Sequence, residues 1–159
     1  MPARRPQRFA VVRARFNDKV TEALLEGALR GFARRRLARS AIDIAEVPGA
    51  FELPFAASLM ARSGKYAAIV CLGCVVRGET PHFEYVCAAA AHGISAVARD
   101  TGVPVIFGVL TTDTQEQAWA RATRVWARPP QHIGATGSGN KGYEAALAAV
   151  DMALFQRRV

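Results

Sequence analysis

Cysteine is scarce in this sequence: Cys71, Cys74 and Cys87 are its only three. An odd count in a chain without a secretory signal argues against a disulfide framework. Long apolar runs are missing too, so no segment reads as a membrane span. Acid is short, with 13 Asp and Glu against 21 Lys and Arg, for a formal charge of +8. The basic excess, with a cluster at Arg34, Arg35 and Arg36, reads as a solvated helix face plus a basic tail, or as attraction for an anion. Hydrophobic residues make up 51% and charged residues 21%, a balance that excludes a disordered chain and suits a globular one. The 159 residues suit one domain. Residues 1–8 read as a basic tail and 9–159 as the domain. The apolar Phe9-Ala10-Val11-Val12 is cut short by Arg13, and no small-residue cleavage site follows. The expected location is therefore the cytoplasm.

Short apolar runs alternate with longer helical stretches. Strands are predicted over 9–14, 42–47, 66–76 and 103–110. Helices are predicted over 18–37, 51–62, 80–100, 113–126 and 143–157. In the first helix Val20, Leu24, Ala28 and Phe32 fall on one face. The run 66–76 is apolar without alternation, as expected of a central parallel strand buried on both faces. Thr80 suits an N-cap and Pro81 the first helical position. Residues 128–139, with Pro129-Pro130 and three glycines, read as a loop. Strands separated by helices imply right-handed crossovers, and hence an α/β flavodoxin-like three-layer sandwich, a four-stranded parallel sheet with helices on both faces. Ligands of such sheets bind beyond the carboxyl ends of the strands, which directs attention to 15–17, 48–52, 75–82 and 110–113.

Two motifs mislead. Cys71-Leu72-Gly73-Cys74 has redox spacing, but residues three apart on a strand point to opposite faces and cannot pair. The same placement prevents Cys71, Cys74, His82 and Cys87 from converging on a metal, so no metal site is expected. Gly134 to Lys141 is glycine-rich, yet Asn140 interrupts the order of a nucleotide-phosphate loop and no strand precedes it.

The chemistry concentrates in Val75-Val76-Arg77-Gly78-Glu79-Thr80-Pro81-His82. A strand ends, glycine permits a turn and a helix begins; unpaired N–H groups at a helix start suit a phosphate, and Thr80 adds a hydroxyl. His82, in the first turn, is either an exposed helix-start residue or a proton carrier beside a bound anion. Phe51-Glu52 and Phe16-Asn17, at neighbouring strand ends, each join an aromatic face to a polar group. Phe51 could be ordinary core and one such pair would mean little; two at neighbouring strand ends suggest a stacking site for a planar ligand. Phe107, inside the fourth strand, reads as core, and Arg121 as a solvated charge.

In order, Arg15-Phe16-Asn17 and the stretches 47–54, 72–86, 102–113, 116–122 and Asn140-Lys141-Gly142 resemble the 6,7-dimethyl-8-ribityllumazine synthase family over most of the chain. The resemblance implies a transferase of riboflavin biosynthesis. It would condense 5-amino-6-(D-ribitylamino)uracil with 3,4-dihydroxy-2-butanone 4-phosphate, through an imine, loss of phosphate and ring closure, without a cofactor. It implies that Phe16 stacks on the uracil and that Asn17, Ala50, Phe51 and Glu52 line its pocket, Glu52 taking ribityl hydroxyls. It assigns main-chain contacts to Cys74, Val75 and Val76, the phosphate to Glu79 and Thr80, and proton donation to His82. Phe107 and Arg121 would come from a neighbouring subunit, Arg121 clamping the phosphate, with Lys141 near the pocket.

One departure stands out: between Arg121 and Asn140 the chain is longer than compact family members. The family's second basic residue there has no clear counterpart, Arg124 being a candidate. In the family that the sequence resembles, a longer connection here goes with the absence of a shell, so the resemblance implies a homopentamer, or paired pentamers. A non-catalytic binder of lumazine or flavin is the alternative on the same fold, but it would not need His82 and Arg121 together. A nucleic-acid module is disfavoured, because the arginines are scattered rather than interleaved with aromatics on one face.

Overall fold

The computed structural model describes residues 7–123 and 139–159. Four strands, β1 (Arg8–Ala14), β2 (Ile42–Val47), β3 (Tyr66–Val76) and β4 (Val105–Thr112), form one sheet in the order β2-β1-β3-β4. Every pairing is parallel. Five helices connect and flank them: α1 (Asp18–Arg34), α2 (Leu53–Arg62), α3 (His82–Thr101), α4 (Gln115–Thr123) and α5 (Lys141–Gln156). The three-layer sandwich expected from the alternating pattern is the fold observed. Among the described residues no helix is long and apolar enough to cross a membrane.

Alternation along the central strands makes two cores. Phe9, Val11, Val70, Leu72 and Cys74 face α1, α4 and α5. Ala10, Val12, Ile69 and Cys71 face α2 and α3. Cys71 and Cys74 thus lie on opposite faces, so this spacing cannot form a disulfide. The predicted stripe Val20, Leu24, Ala28 and Phe32 is buried in the first core, where Phe32 packs on Phe9 with ring centroids 5.3 Å apart.

Several boundaries differ from expectation. Helix α1 ends at Arg34 rather than 37, because Arg36 turns to positive φ and the Leu37 N–H folds back on the Phe32 carbonyl. Arg8 belongs to β1 rather than to a tail, and its guanidinium bonds Asp43. A short 3-10 turn, Ala50–Glu52, precedes α2, with Pro54 tolerated in the first turn of that helix. Strand β4 starts at Val105 and runs on to Thr112. Helix α3 starts at His82; Pro81, not Thr80, is its flanking residue, and no side chain caps it. Helix α4 starts at Gln115, and α5 begins at Lys141, where the Asn140 side chain accepts from the Tyr143 N–H at 3.1 Å. The end of the predicted helix 113–126, with Arg124, and most of the predicted loop 128–139 lie outside the described residues.

Candidate active site

The carboxyl ends of β1, β2 and β3 are tied into one rim. Arg15 N–H donates to the Val47 carbonyl at 2.8 Å and Phe16 N–H to the Pro48 carbonyl at 2.9 Å, which locks the first loop to the second. Asn17 adopts the left-handed region at φ 58°, where asparagine is among the residues best tolerated. Its amide donates to the Cys74 carbonyl at 2.9 Å, and its oxygen accepts from Gln115 Nε2 at 3.2 Å. Asn17 therefore joins the ends of β1 and β3 to the start of α4, and its side chain is engaged with protein rather than free in the pocket. Held this way, Phe16 projects outward, 72% exposed.

In the second loop Glu52 Oε2 accepts from the Gly49 N–H at 2.9 Å, closing the 3-10 turn and leaving Phe51 62% exposed. Neither aromatic is core. Both line a cleft of about 650 Å³ with Ala50, Glu52, Cys74, Val75, Val76, Gly78, Thr80 and His82. Phe83 and Val86 line it as well and were not anticipated. They sit three residues apart on one face of α3, a spacing that could have revealed them.

Strand β3 outruns its neighbour: pairing with β1 stops at Arg13↔Leu72, while pairing with β4 continues to Val76↔Thr112. The overhanging edge faces the cleft. Cys74 points its carbonyl that way, as its bond from Asn17 shows, and alternation sends the Val76 main-chain groups in the same direction. By the same alternation the main chain of Val75 turns toward β4, so only its side chain serves the cleft. This narrows the main-chain contacts expected from Cys74, Val75 and Val76.

Beyond Val76 the Arg77 N–H donates to the Thr112 carbonyl at 2.8 Å, and the chain turns through Gly78, Glu79 and Thr80 into α3. Among the described residues these three donate no backbone N–H to a protein acceptor. Consecutive N–H groups left without protein acceptors before a helix start are the kind of donors that can take an anion. Gly78 carries no Cβ, and one built there would meet nothing within 4 Å, so the turn is open. Glu79 belongs to this turn, although its side chain is not part of the cleft lining.

Phe107, Arg121 and Lys141 do not join that cleft. They line a second one of about 350 Å³ along β4, α4 and α5. Phe107 is 43% exposed on the edge strand, which corrects its reading as core. Arg121 is exposed and donates to the Gln117 carbonyl at 3.0 Å. Lys141 Nζ pairs with Glu144 Oε2 at 2.8 Å; Glu144, which lines the same cleft, was not foreseen, although an i,i+3 spacing on α5 makes the pair.

Burial pushes the Cys71 thiol up to about 12 and the Cys74 thiol up to about 11, so neither is a nucleophile at neutral pH. Among the described residues no cluster of three or more His, Cys, Asp or Glu side chains is arranged to hold a metal ion.

The family model described as 6,7-dimethyl-8-ribityllumazine synthase matches residues 6–157. A protein of that name from Desulfatibacillum aliphaticivorans is 49% identical over 146 residues, covering 92% of this chain and 86% of its own length.

Proposed function

Since the chain belongs to the 6,7-dimethyl-8-ribityllumazine synthase family and is a transferase of riboflavin biosynthesis, we propose that it performs the condensation in the larger cleft, completed by a neighbouring copy. The observation that carries the proposal is the gathering of Phe16, Phe51, the β3 overhang and the Gly78–His82 turn around one cleft.

The exposed rings of Phe16 and Phe51 supply apolar faces for the pyrimidine, and the Val76 main chain supplies an edge donor and acceptor. Glu52, anchored by one oxygen to Gly49, keeps acceptor capacity for ribityl hydroxyls. The N–H groups of Gly78, Glu79 and Thr80, with the Thr80 hydroxyl, take the phosphate. In this arrangement the amine of the ribitylaminouracil attacks the ketone, and water leaves as the imine forms. Phosphate is then eliminated, and ring closure releases a second water. His82, at the first position of α3, moves protons between these steps. Much of the acceleration comes from holding two reactants together.

One chain carries both clefts, but Phe107, Arg121 and Lys141 line the smaller one. A complete site forms when the smaller cleft of one copy closes on the larger cleft of the next. A cyclic homo-oligomer satisfies every site in this way. We propose the homopentamer, alone or paired, because the long connection after α4 disfavours a shell. A cytoplasmic location fits an enzyme that uses small phosphorylated metabolites.

The test is to mix the purified protein with both substrates and follow lumazine absorbance together with phosphate release. Simultaneous appearance of both supports the proposal. Tight binding of lumazine without turnover would instead favour the non-catalytic binder.

A further inference from the structure

Arg77 lies next to the phosphate cradle, and a cation beside an anion site invites the reading that it binds the anion. Its contacts argue otherwise. Arg77 Nε donates to Asp113 Oδ1 at 2.8 Å and Nη1 to Glu84 Oε1 at 3.4 Å. The guanidinium carbon lies 4.6 Å from the centre of the Phe83 ring, within cation–π range. Two carboxylates therefore neutralise the cation, and an aromatic ring covers one face of it. Arg77 does not line the cleft; Phe83, on which it rests, does.

The segment it adjoins needs an anchor. No side chain caps α3, and residues 78–80 donate no backbone N–H to protein among those described. An unpaired turn is an effective anion cradle only if something else holds its shape. Two fixings are present on its strand side, and both involve Arg77: the backbone bond to the Thr112 carbonyl and the side-chain bond to Asp113. Asp113 is itself held, because its N–H donates to Gln117 Oε1 at 2.9 Å.

We propose that Arg77 is a positioning residue for the phosphate step. Through Asp113, Glu84 and the Phe83 ring it fixes the Gly78–His82 turn against the corner between β4 and α4, and it does not itself bind the phosphate. The inference rests on reading that turn as the phosphate site. It adds a role for Asp113, a residue outside the lining of both clefts.

The experiment compares wild type with Arg77→Gln, Arg77→Lys, Asp113→Asn and the double variant Arg77→Gln/Asp113→Asn. It reads KM for each substrate, and affinity for inorganic phosphate by calorimetry in the absence of the uracil substrate. Size and thermal unfolding confirm that each variant assembles. Positioning predicts that Arg77→Gln and Asp113→Asn each weaken phosphate about two- to fivefold, the range of an exposed ion pair. KM for the keto phosphate rises with it, KM for the ribitylaminouracil holds, and the double variant is no worse than the poorer single one. Arg77→Lys restores part of the affinity. Direct binding predicts the reverse for Asp113→Asn, because a freed guanidinium would grip phosphate more tightly. That result, additivity in the double variant, or equal rises in both KM values would overturn the proposal. Phosphate calorimetry answers for Arg77 even if the wild type fails to make lumazine, and the turnover assay alone decides the enzyme reading.

Discussion

The side-chain amide of Asn17 reaches across the sheet to the carbonyl of Cys74 at 2.9 Å, joining the end of β1 to the part of β3 that β1 no longer pairs. The same side chain accepts from Gln115 at 3.2 Å. Asn17→Asp tests whether this junction shapes the site. A carboxylate keeps the acceptor for Gln115 but faces the Cys74 carbonyl with a second acceptor. The expected loss is about 1–3 kcal/mol of stability, with a raised KM for the ribitylaminouracil, measured by urea unfolding and steady-state kinetics. An unchanged KM would show that the junction is dispensable.

His82→Ala should slow turnover by about 10²–10⁴-fold while leaving measurable product, because general acid–base help is worth that much and approximation remains. Single-turnover rates decide it. Complete inactivity in a folded variant would mean that His82 does more than move protons.

Sharing of sites between copies predicts complementation. His82→Ala and Arg121→Ala damage opposite halves of each composite site. When the two proteins are unfolded together and reassembled, some sites regain both native residues. The mixture should exceed the mean of its parts in lumazine formation. A mixture that only averages them would place each site within one chain.

Asp43 provides a pH dependence with a definite sign. The hydrogen bond from Tyr66 at 2.7 Å, reinforced by Arg8, holds its carboxyl below the ordinary carboxylate range. A lowered folded value contributes stability above the unfolded pKa, and that contribution fades as pH falls through the folded value. Asp43→Asn should therefore lower thermal stability at pH 7, by less than about 1 kcal/mol because the pair is solvent-screened. The gap to wild type should close as pH falls below the ordinary carboxylate range. A gap that widened in acid would contradict the assignment.

Two glycines separate packing from function. A Cβ on Gly142 would stand 1.8 Å from the Leu24 carbonyl oxygen, so Gly142→Ala must part α1 from α5. A cost of about 1–3 kcal/mol or more is expected in denaturant unfolding. Gly78→Ala meets open space and should leave unfolding nearly unchanged. The opposite ranking of the two variants in stability would refute this packing account.

How much of this was legible beforehand varied with the range of the interaction responsible. Strand and helix order followed from hydrophobic periodicity, since each element must bury one face, and the stripe from Val20 to Phe32 shows it. The ends shifted where single backbone events decided them, as at Arg36 with its positive φ and at Pro81, which displaced Thr80 from the cap. That Phe16, Phe51 and His82 would gather at one cleft was legible because motifs at strand ends are local. Phe83 and Glu144 were missed because helical spacing shows which residues share a face, but not that the face meets a cleft.

By itself the sequence determined the alternating α/β order, the opposed faces of Cys71 and Cys74, and the family, because these depend on residue spacing and composition along the chain. Only the tertiary structure decided that β3 overhangs β1, that Asn17 is taken up by a carbonyl 57 residues away, that Phe107 stands half exposed rather than in the core, and that Lys141 lines the smaller cleft. Those outcomes depend on strand register and on which surfaces close against each other, and no local pattern encodes either.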